Sequence, residues 1–135
     1  VLAGRARAGF DLPAEQRIVK LGEVREEELA ALYSGALLTV YPSRYEGFGL
    51  PVLEAMQCGS PLVASDLPVL RETGGEAAIY AGVHAVGDWV MAMEALLRDP
   101  AARAERRAAG LLRARQYSWR RTAQSMKELY ERALR

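Results

Sequence analysis

Tyr41-Pro42-Ser43-Arg44-Tyr45-Glu46-Gly47-Phe48-Gly49-Leu50-Pro51-Val52-Leu53-Glu54-Ala55-Met56-Gln57-Cys58-Gly59 is the stretch on which the reading of this chain turns. An apolar run ends at Tyr41, a polar loop with two glycines follows, and a helical pattern begins at about Leu50 or Pro51 and stops at Gly59. Pro51 suits a first helical turn, where its missing N–H removes no bond, and Gly59 suits the residue just past a helix end. In an open α/β sheet a loop of this kind lies at the carboxyl edge of the strands, where ligands bind. Gly47 and Gly49 carry no Cβ, so backbone amides there can approach a ligand closely and adopt positive φ. The helix behind them directs unpaired N–H groups and its positive dipole end at the same place. A diphosphate would be held there with neither a metal nor a Walker lysine.

Two carboxylates bracket this anion site. Glu46 precedes the glycines, and Glu54 lies about one turn into the helix, eight residues on. Carboxylates accept short, directional hydrogen bonds from vicinal hydroxyls, so an acid at each end of a diphosphate cradle fits a nucleotide sugar. The residues alone leave two other readings open. The pair could be the acid and base of a hydrolase, a question of their separation, or Glu46 could cap the helix and Glu54 be an exposed helical residue.

Outward from this segment, Val1–Ala3, Ile18–Leu21, Leu37–Tyr41, Pro61–Ser65 and Ala77–Tyr80 are short apolar runs bounded by Gly, Pro, Ser or charges. They read as buried strands of a parallel sheet covered on both faces. Between them, Glu26–Ser34 places Leu29, Leu32, Tyr33 and Ala36 at helical spacing. The last part of the chain, from about residue 86 to 135, is helical throughout. Trp89, Val90, Met93, Leu96 and Leu97 form one apolar stripe, Asp99-Pro100 marks a break, and Ser118 is a plausible N-cap for a helix striped by Trp119, Thr122, Ala123, Met126, Leu129, Tyr130 and Ala133. The Trp and Met residues read as core or docking contacts rather than as a cofactor box. Strands alternating with helices argue for one α/β domain with a Rossmann-like parallel sheet over residues 1–135.

Composition narrows the classes. A chain of 135 residues, 50% hydrophobic, is one globular domain in size. The longest weakly polar stretch, Leu29–Tyr41, is far short of the roughly 20 apolar residues needed to cross a bilayer. A lone cysteine, Cys58, excludes an internal disulfide, and a lone histidine, His84, leaves no Cys/His cluster for zinc. Val1–Leu97 carries a net −6 and Arg98–Arg135 a net +7. A uniformly basic nucleic-acid binder would not be divided this way. The basic end reads chiefly as a solvated arginine face, with attraction to an anionic headgroup or lipid-phosphate acceptor as the alternative. The chain begins at Val1 without a basic or apolar leader, and reads as a piece of a longer protein.

Glu46-Gly47-Phe48-Gly49-Leu50-Pro51-Val52-Leu53-Glu54 resembles the E-x7-E motif of retaining GT-B glycosyltransferases of family 4. The surrounding words agree in order along the whole chain: Leu21-Gly22-Glu23-Val24, Tyr41-Pro42-Ser43, Glu54-Ala55-Met56, Cys58-Gly59-Ser60-Pro61, Val63-Ala64-Ser65, Arg71-Glu72-Thr73-Gly74-Gly75 and Tyr117-Ser118-Trp119. The resemblance implies the carboxyl-terminal, donor-binding domain of such an enzyme. Glu46 would face the donor sugar and serve catalysis, Glu54 would bind the ribose, and the backbone of Gly47, Phe48, Gly49 and Leu50 would lie along sugar and diphosphate. The turn around Gly22 to Val24 would pass near the base. It further implies a nucleotide diphosphate sugar, UDP- or GDP-linked, as substrate, no cofactor and no metal, and hexosyl transfer with retention to a sugar or lipid-linked glycan held by an amino-terminal domain. No nucleic acid is expected. The setting would be polysaccharide biosynthesis in the cytoplasm, with peripheral contact at the inner membrane face left open.

The family's phosphate-binding Arg and Lys follow a strand that would lie ahead of Val1; Arg5 sits after a different strand and does not take their role. His84 does not correspond to the family's catalytic-region histidine, and Ala81-Gly82-Val83 stands where relatives often have Asp-Pro. In the family's usual strand order the absent strand would lie between Val1–Ala3 and Leu37–Tyr41. The gap would close by direct pairing of those two runs, by strand exchange with another copy, or by local rearrangement. Two rivals accompany this reading, a non-catalytic nucleotide-sugar-binding or interaction domain and a GT-B sugar-nucleotide epimerase.

Overall fold

The computed structural model describes residues 1–4 and 17–135; Arg5 lies outside them. Short strands alternate with helices in the order β1 (Leu2–Ala3), β2 (Lys20–Gly22), α1 (Glu26–Gly35), β3 (Thr39–Tyr41), α2 (Leu50–Gln57), β4 (Leu62–Ser65), α3 (Pro68–Gly74), β5 (Ile79–Ala81), α4 (Val86–Arg98), α5 (Pro100–Ala114) and α6 (Trp119–Ala133). A 3-10 turn, Gly75–Ala77, connects α3 to β5. Among the described residues every strand pairing is parallel, as the alternation with helices requires. β3, β4 and β5 form one sheet in that order, with Thr39 opposite Leu62 and Val63 opposite Ile79. β1 and β2 form a separate pair. Among the described residues no ladder joins β1 to β3, so direct pairing does not close the expected gap.

The central strand β4 shows why the sheet is covered twice. Successive side chains leave opposite faces of a strand. Leu62 and Ala64 enter one cluster with Val52, Ala55 and Met56 of α2, Leu70 of α3 and Ala114 of α5. Val63, between them, enters a second cluster with Ala81 and with Trp89, Ala92 and Leu96 of α4. A continuous apolar run is what a strand buried on both faces needs. Trp89 tucks its ring into the second cluster while its Nε1 donates to the Gly82 carbonyl at 2.9 Å, which fixes the Ala81-Gly82-Val83 turn.

Local chemistry sets the helix ends. Asp99 caps α5 by accepting from the amides of Ala101 and Ala102 through Oδ1, at 2.8 and 3.0 Å, with Pro100 in the first turn. Ser118 Oγ caps α6 by accepting from the Arg121 amide at 3.2 Å. Several observations differ from the sequence reading. The strands are shorter than the apolar runs, because Leu37 and Leu38 precede the ladder and residues 75–77 form the 3-10 turn. α3 is a helix that periodicity did not suggest: Pro68 starts it, and Gly75, at φ 57°, ends it within seven residues. The apolar stripe of α6 is not core, for Trp119, Met126, Leu129 and Tyr130 are all exposed. His84 lies in an exposed turn, and Cys58, half-buried, closes α2.

Most of the basic residues from Arg98 onward stand on an exposed face, as expected, and four arginines also clamp backbone carbonyls. Arg103 donates to the carbonyls of Leu96 and Leu97 at the end of α4, Arg106 to that of Glu76, Arg113 to those of Glu72 and Thr73 at the end of α3, and Arg121 to that of Gln116. Helix carboxyl ends leave carbonyls without intrahelical partners and carry partial negative charge, so guanidinium donors suit them.

Two glycines test the packing. A Cβ on Gly74 would stand 2.6 Å from the Tyr80 hydroxyl oxygen, which donates to the Leu70 and Gly75 carbonyls, whereas one on Gly87 meets nothing within 4 Å. Gly74→Ala is expected to lower stability by about 1–3 kcal/mol and Gly87→Ala to raise it by about 0.5 kcal/mol, both read from chemical-denaturation midpoints.

Candidate functional site

The site is built where β3 ends at the sheet edge and the chain turns into α2. Gly49 occupies the N-cap position in the left-handed region, at φ 88° and ψ 49°. It is buried against Leu70 of α3: a Cβ there would stand 2.5 Å from Leu70 Cδ2. Both the dihedral and the contact require glycine. Gly47 does not use the positive φ open to it, and a Cβ on it would meet nothing within 4 Å. Phe48 and Leu50 are half-exposed on either side of Gly49. The Phe48 ring meets Tyr117 edge-on, with centroids 6.1 Å apart and planes at 77°.

The first turn of α2 offers fewer donors than a helix start of this length could. Pro51 has no N–H, and the Val52 amide turns back onto the Gly49 carbonyl at 3.0 Å. An anion seated here would face the backbone at Gly49 and Leu50 rather than a full first turn.

Each motif glutamate is held by hydroxyl donors from a neighbouring element. Glu46, half-buried, accepts through Oε1 from the Tyr41 hydroxyl at the end of β3 and from Ser43 Oγ at 3.0 Å. Glu54, on the exposed face of α2, accepts through Oε2 from the Tyr33 hydroxyl of α1 at 3.2 Å. Burial and the neighbouring carboxylate both oppose phenolate formation, so the Tyr33 pKa is pushed up to about 12, and that of Tyr41 is raised by burial and by Glu46. Both tyrosines therefore remain donors at neutral pH. These bonds fix one oxygen of each carboxylate and leave the other for a ligand hydroxyl. In the sequence Tyr41 and Ser43 stand ahead of the motif with no evident role, and Tyr33 stands on an apolar stripe. A tyrosine in such a stripe carries a polar tip that needs a partner, which was the available signal.

α1 also walls a groove of about 530 Å³. Leu21, Val24, Ala31 and Leu32 give it an apolar lining, with Glu23, Glu27 and Glu28 beside them. Val24 is thus at a concave surface, while Gly22 contributes the turn, at φ 68°, its carbonyl accepting from the Gly4 amide at 2.7 Å. α1 thus contributes both Leu32 to the groove and, at the next residue, Tyr33 to the anchoring of Glu54. No group of three or more His, Cys, Asp or Glu side chains suited to a metal occurs among the described residues. Nor is any described helix long and apolar enough to cross a membrane.

Comparison with known proteins places this architecture. Residues 11–112 match the family described as glycosyl transferases group 1. The chain is 44% identical over 99 residues to the O-antigen chain mannosyltransferase B of Escherichia coli, covering 73% of this chain and 26% of that protein. It is 36% identical over 126 residues to a D-inositol 3-phosphate glycosyltransferase of Gordonia bronchialis, covering 92% of this chain and 28% of that one. Among solved structures it resembles sucrose-phosphate synthase of Thermosynechococcus elongatus, with a TM-score of 0.81 and 32% identity over 87% of this chain and 30% of that one. The chain therefore spans under a third of the length of these relatives. With its parallel α/β architecture, its glutamate-flanked glycine loop and a family match over most of its length, the chain belongs to the group 1 glycosyl transferases.

Proposed function

We propose that this chain is the donor-binding part of a retaining GT-B glycosyltransferase of family 4, which in its parent protein moves a hexosyl unit from a nucleotide diphosphate sugar to an acceptor hydroxyl. The observation that carries the reading is the pairing of two hydroxyl-anchored carboxylates, Glu46 and Glu54, on either side of the Gly49 turn. Mannosyl transfer by one relative and glycosyl transfer to an inositol phosphate by another agree with a hexosyl donor.

In this reading Glu54 accepts the ribose hydroxyls through the oxygen that Tyr33 leaves free, and the groove beside Val24 takes the base. The backbone amides at Gly49 and Leu50 lie along the diphosphate. As the glycosidic bond to phosphate breaks, negative charge grows on the departing diphosphate and positive charge on the anomeric carbon. The amino-terminal end of α2 opposes the first, and the Glu46 carboxylate opposes the second. Anchoring by Tyr41 and Ser43 holds that carboxylate in place before the charge develops, which is where electrostatic stabilisation is effective. The acceptor is bound by another part of the parent protein, so this chain alone binds nucleotide only weakly and turns nothing over. UDP- and GDP-linked sugars are both candidates as donor.

Roles separate on mutation. In the parent protein Glu54→Ala should weaken nucleotide binding by about 1.5–3 kcal/mol through the lost charged hydrogen bonds, and Glu46→Ala should lower turnover more than affinity. Titration calorimetry with UDP and GDP, together with donor kinetics, reads both; equal and small effects of the two substitutions would overturn the assignment. The alkaline limb gives a second check. With its folded pKa raised, the Tyr33 hydroxyl keeps its bond to Glu54 at neutral pH and loses it as pH climbs towards about 12. Phenolate absorbance followed through alkaline pH should lose a late component in Tyr33→Phe, and loss of an early component instead would show that Tyr33 is neither buried nor held against Glu54 in solution.

A further inference from the structure

α3 lies under the glycine loop and touches it at two points. Leu70 fills the space beneath Gly49. One turn further on, Thr73, 2% exposed, donates its hydroxyl to the Phe48 carbonyl at 2.6 Å. A helical threonine commonly returns that hydroxyl to a carbonyl of its own preceding turn. Here it points out of the helix, across 25 residues of sequence, to the backbone that precedes Gly49. Thr73 is itself held from behind. Its carbonyl accepts from Arg113 Nε of α5 at 3.0 Å, and the same guanidinium donates to the Glu72 carbonyl and to the Tyr117 hydroxyl. The Tyr117 ring then returns to Phe48 edge-on. Phe48, Thr73, Arg113 and Tyr117 thus close a circuit that grips the loop at both its backbone and its side chain.

We propose that Thr73 is a positioning residue for the donor loop, setting through its hydroxyl where the Phe48–Leu50 backbone stands, with Arg113 and Tyr117 fixing Thr73 and Phe48 from α5 and the turn after it. The consequence for donor binding rests on the reading given under Proposed function. The position of the loop itself does not. Valine is nearly the same shape as threonine, so Thr73→Val removes the donor and strands the Phe48 carbonyl with little change in volume, while Thr73→Ser keeps the hydroxyl.

Hydrogen–deuterium exchange on the chain tests the loop without any ligand. In Thr73→Val the amides of residues 47–50 should exchange about 5- to 10-fold faster, those of β4 and of the carboxyl-terminal half of α2 should be unchanged, and Thr73→Ser should stay within about twofold of the original chain. Unchanged loop exchange in Thr73→Val would overturn the proposal, and so would an equal rise throughout the chain, which would mark Thr73 as a general packing residue. Titration of the full-length parent with UDP and GDP reads the consequence. About 5- to 10-fold weaker binding in Thr73→Val, restored in Thr73→Ser, is expected. Undiminished affinity alongside a loosened loop would overturn the positioning role, whereas absence of nucleotide binding by the unmodified parent would overturn the donor reading and leave the exchange result to decide the loop.

Discussion

The close approach of Gly49 to Leu70 is the contact on which the rest of the site depends. Between the end of β3 at Tyr41 and the start of α2 at Leu50 the chain must leave the sheet, turn and enter a helix that packs back on it. That reversal passes through one residue in the left-handed region with a leucine where a Cβ would be. Because Gly49 can sit there, α2 lies against both β3 and β4, and Val52, Ala55 and Met56 are driven into the core. Burial of that face leaves Glu54 on the opposite, exposed one, and the loop before Gly49 folds Glu46 back towards Tyr41. Two acids eight residues apart thereby come to flank one turn.

Polar satisfaction then organises what surrounds this turn. The described residues contain no buried side-chain nitrogen or oxygen without a partner, as a low-dielectric interior demands. Hydroxyls supply much of this: Tyr33, Tyr41, Ser43 and Thr73 all donate to the loop or to its glutamates. Arginines serve the backbone, since Arg103, Arg106 and Arg113 close the carboxyl ends of α4, the 3-10 turn and α3. The uneven charge of the chain thus has a structural component. Basic residues gathered after Arg98 serve carbonyls contributed by earlier helices, and α5 is where many of them stand.

Apolar surface is distributed less evenly. The sheet β3-β4-β5 is covered on both faces, yet Leu2, Val19, Leu21 and Val40 are exposed along the strands, and Trp119, Met126 and Tyr130 are exposed on α6. These are the residues that strand and helix periodicity marked for burial. Their pattern was legible, but burial needs a neighbouring surface, and among the described residues none covers them.

Features legible along the chain are local ones. Both ends of α2, the break at Asp99-Pro100, the cap Ser118, the parallel character of the strands and the clustering of two glutamates about a glycine loop all follow from periodicity, turn chemistry and spacing over a few residues. α3 escaped because a helix of seven residues, opened by proline and closed by glycine, is too short to establish a period. The tertiary structure alone decided which hydroxyls hold which carboxylates and what supports the loop. Tyr33 reaches Glu54 across 21 residues, Thr73 reaches Phe48 across 25, and Arg113 reaches Thr73 across 40. Such pairings depend on how helices from separate crossovers settle on a common sheet, and the donors involved are ordinary Tyr, Thr and Arg residues that can find partners in many places. Only the packed fold leaves each of them one carbonyl or carboxylate within reach.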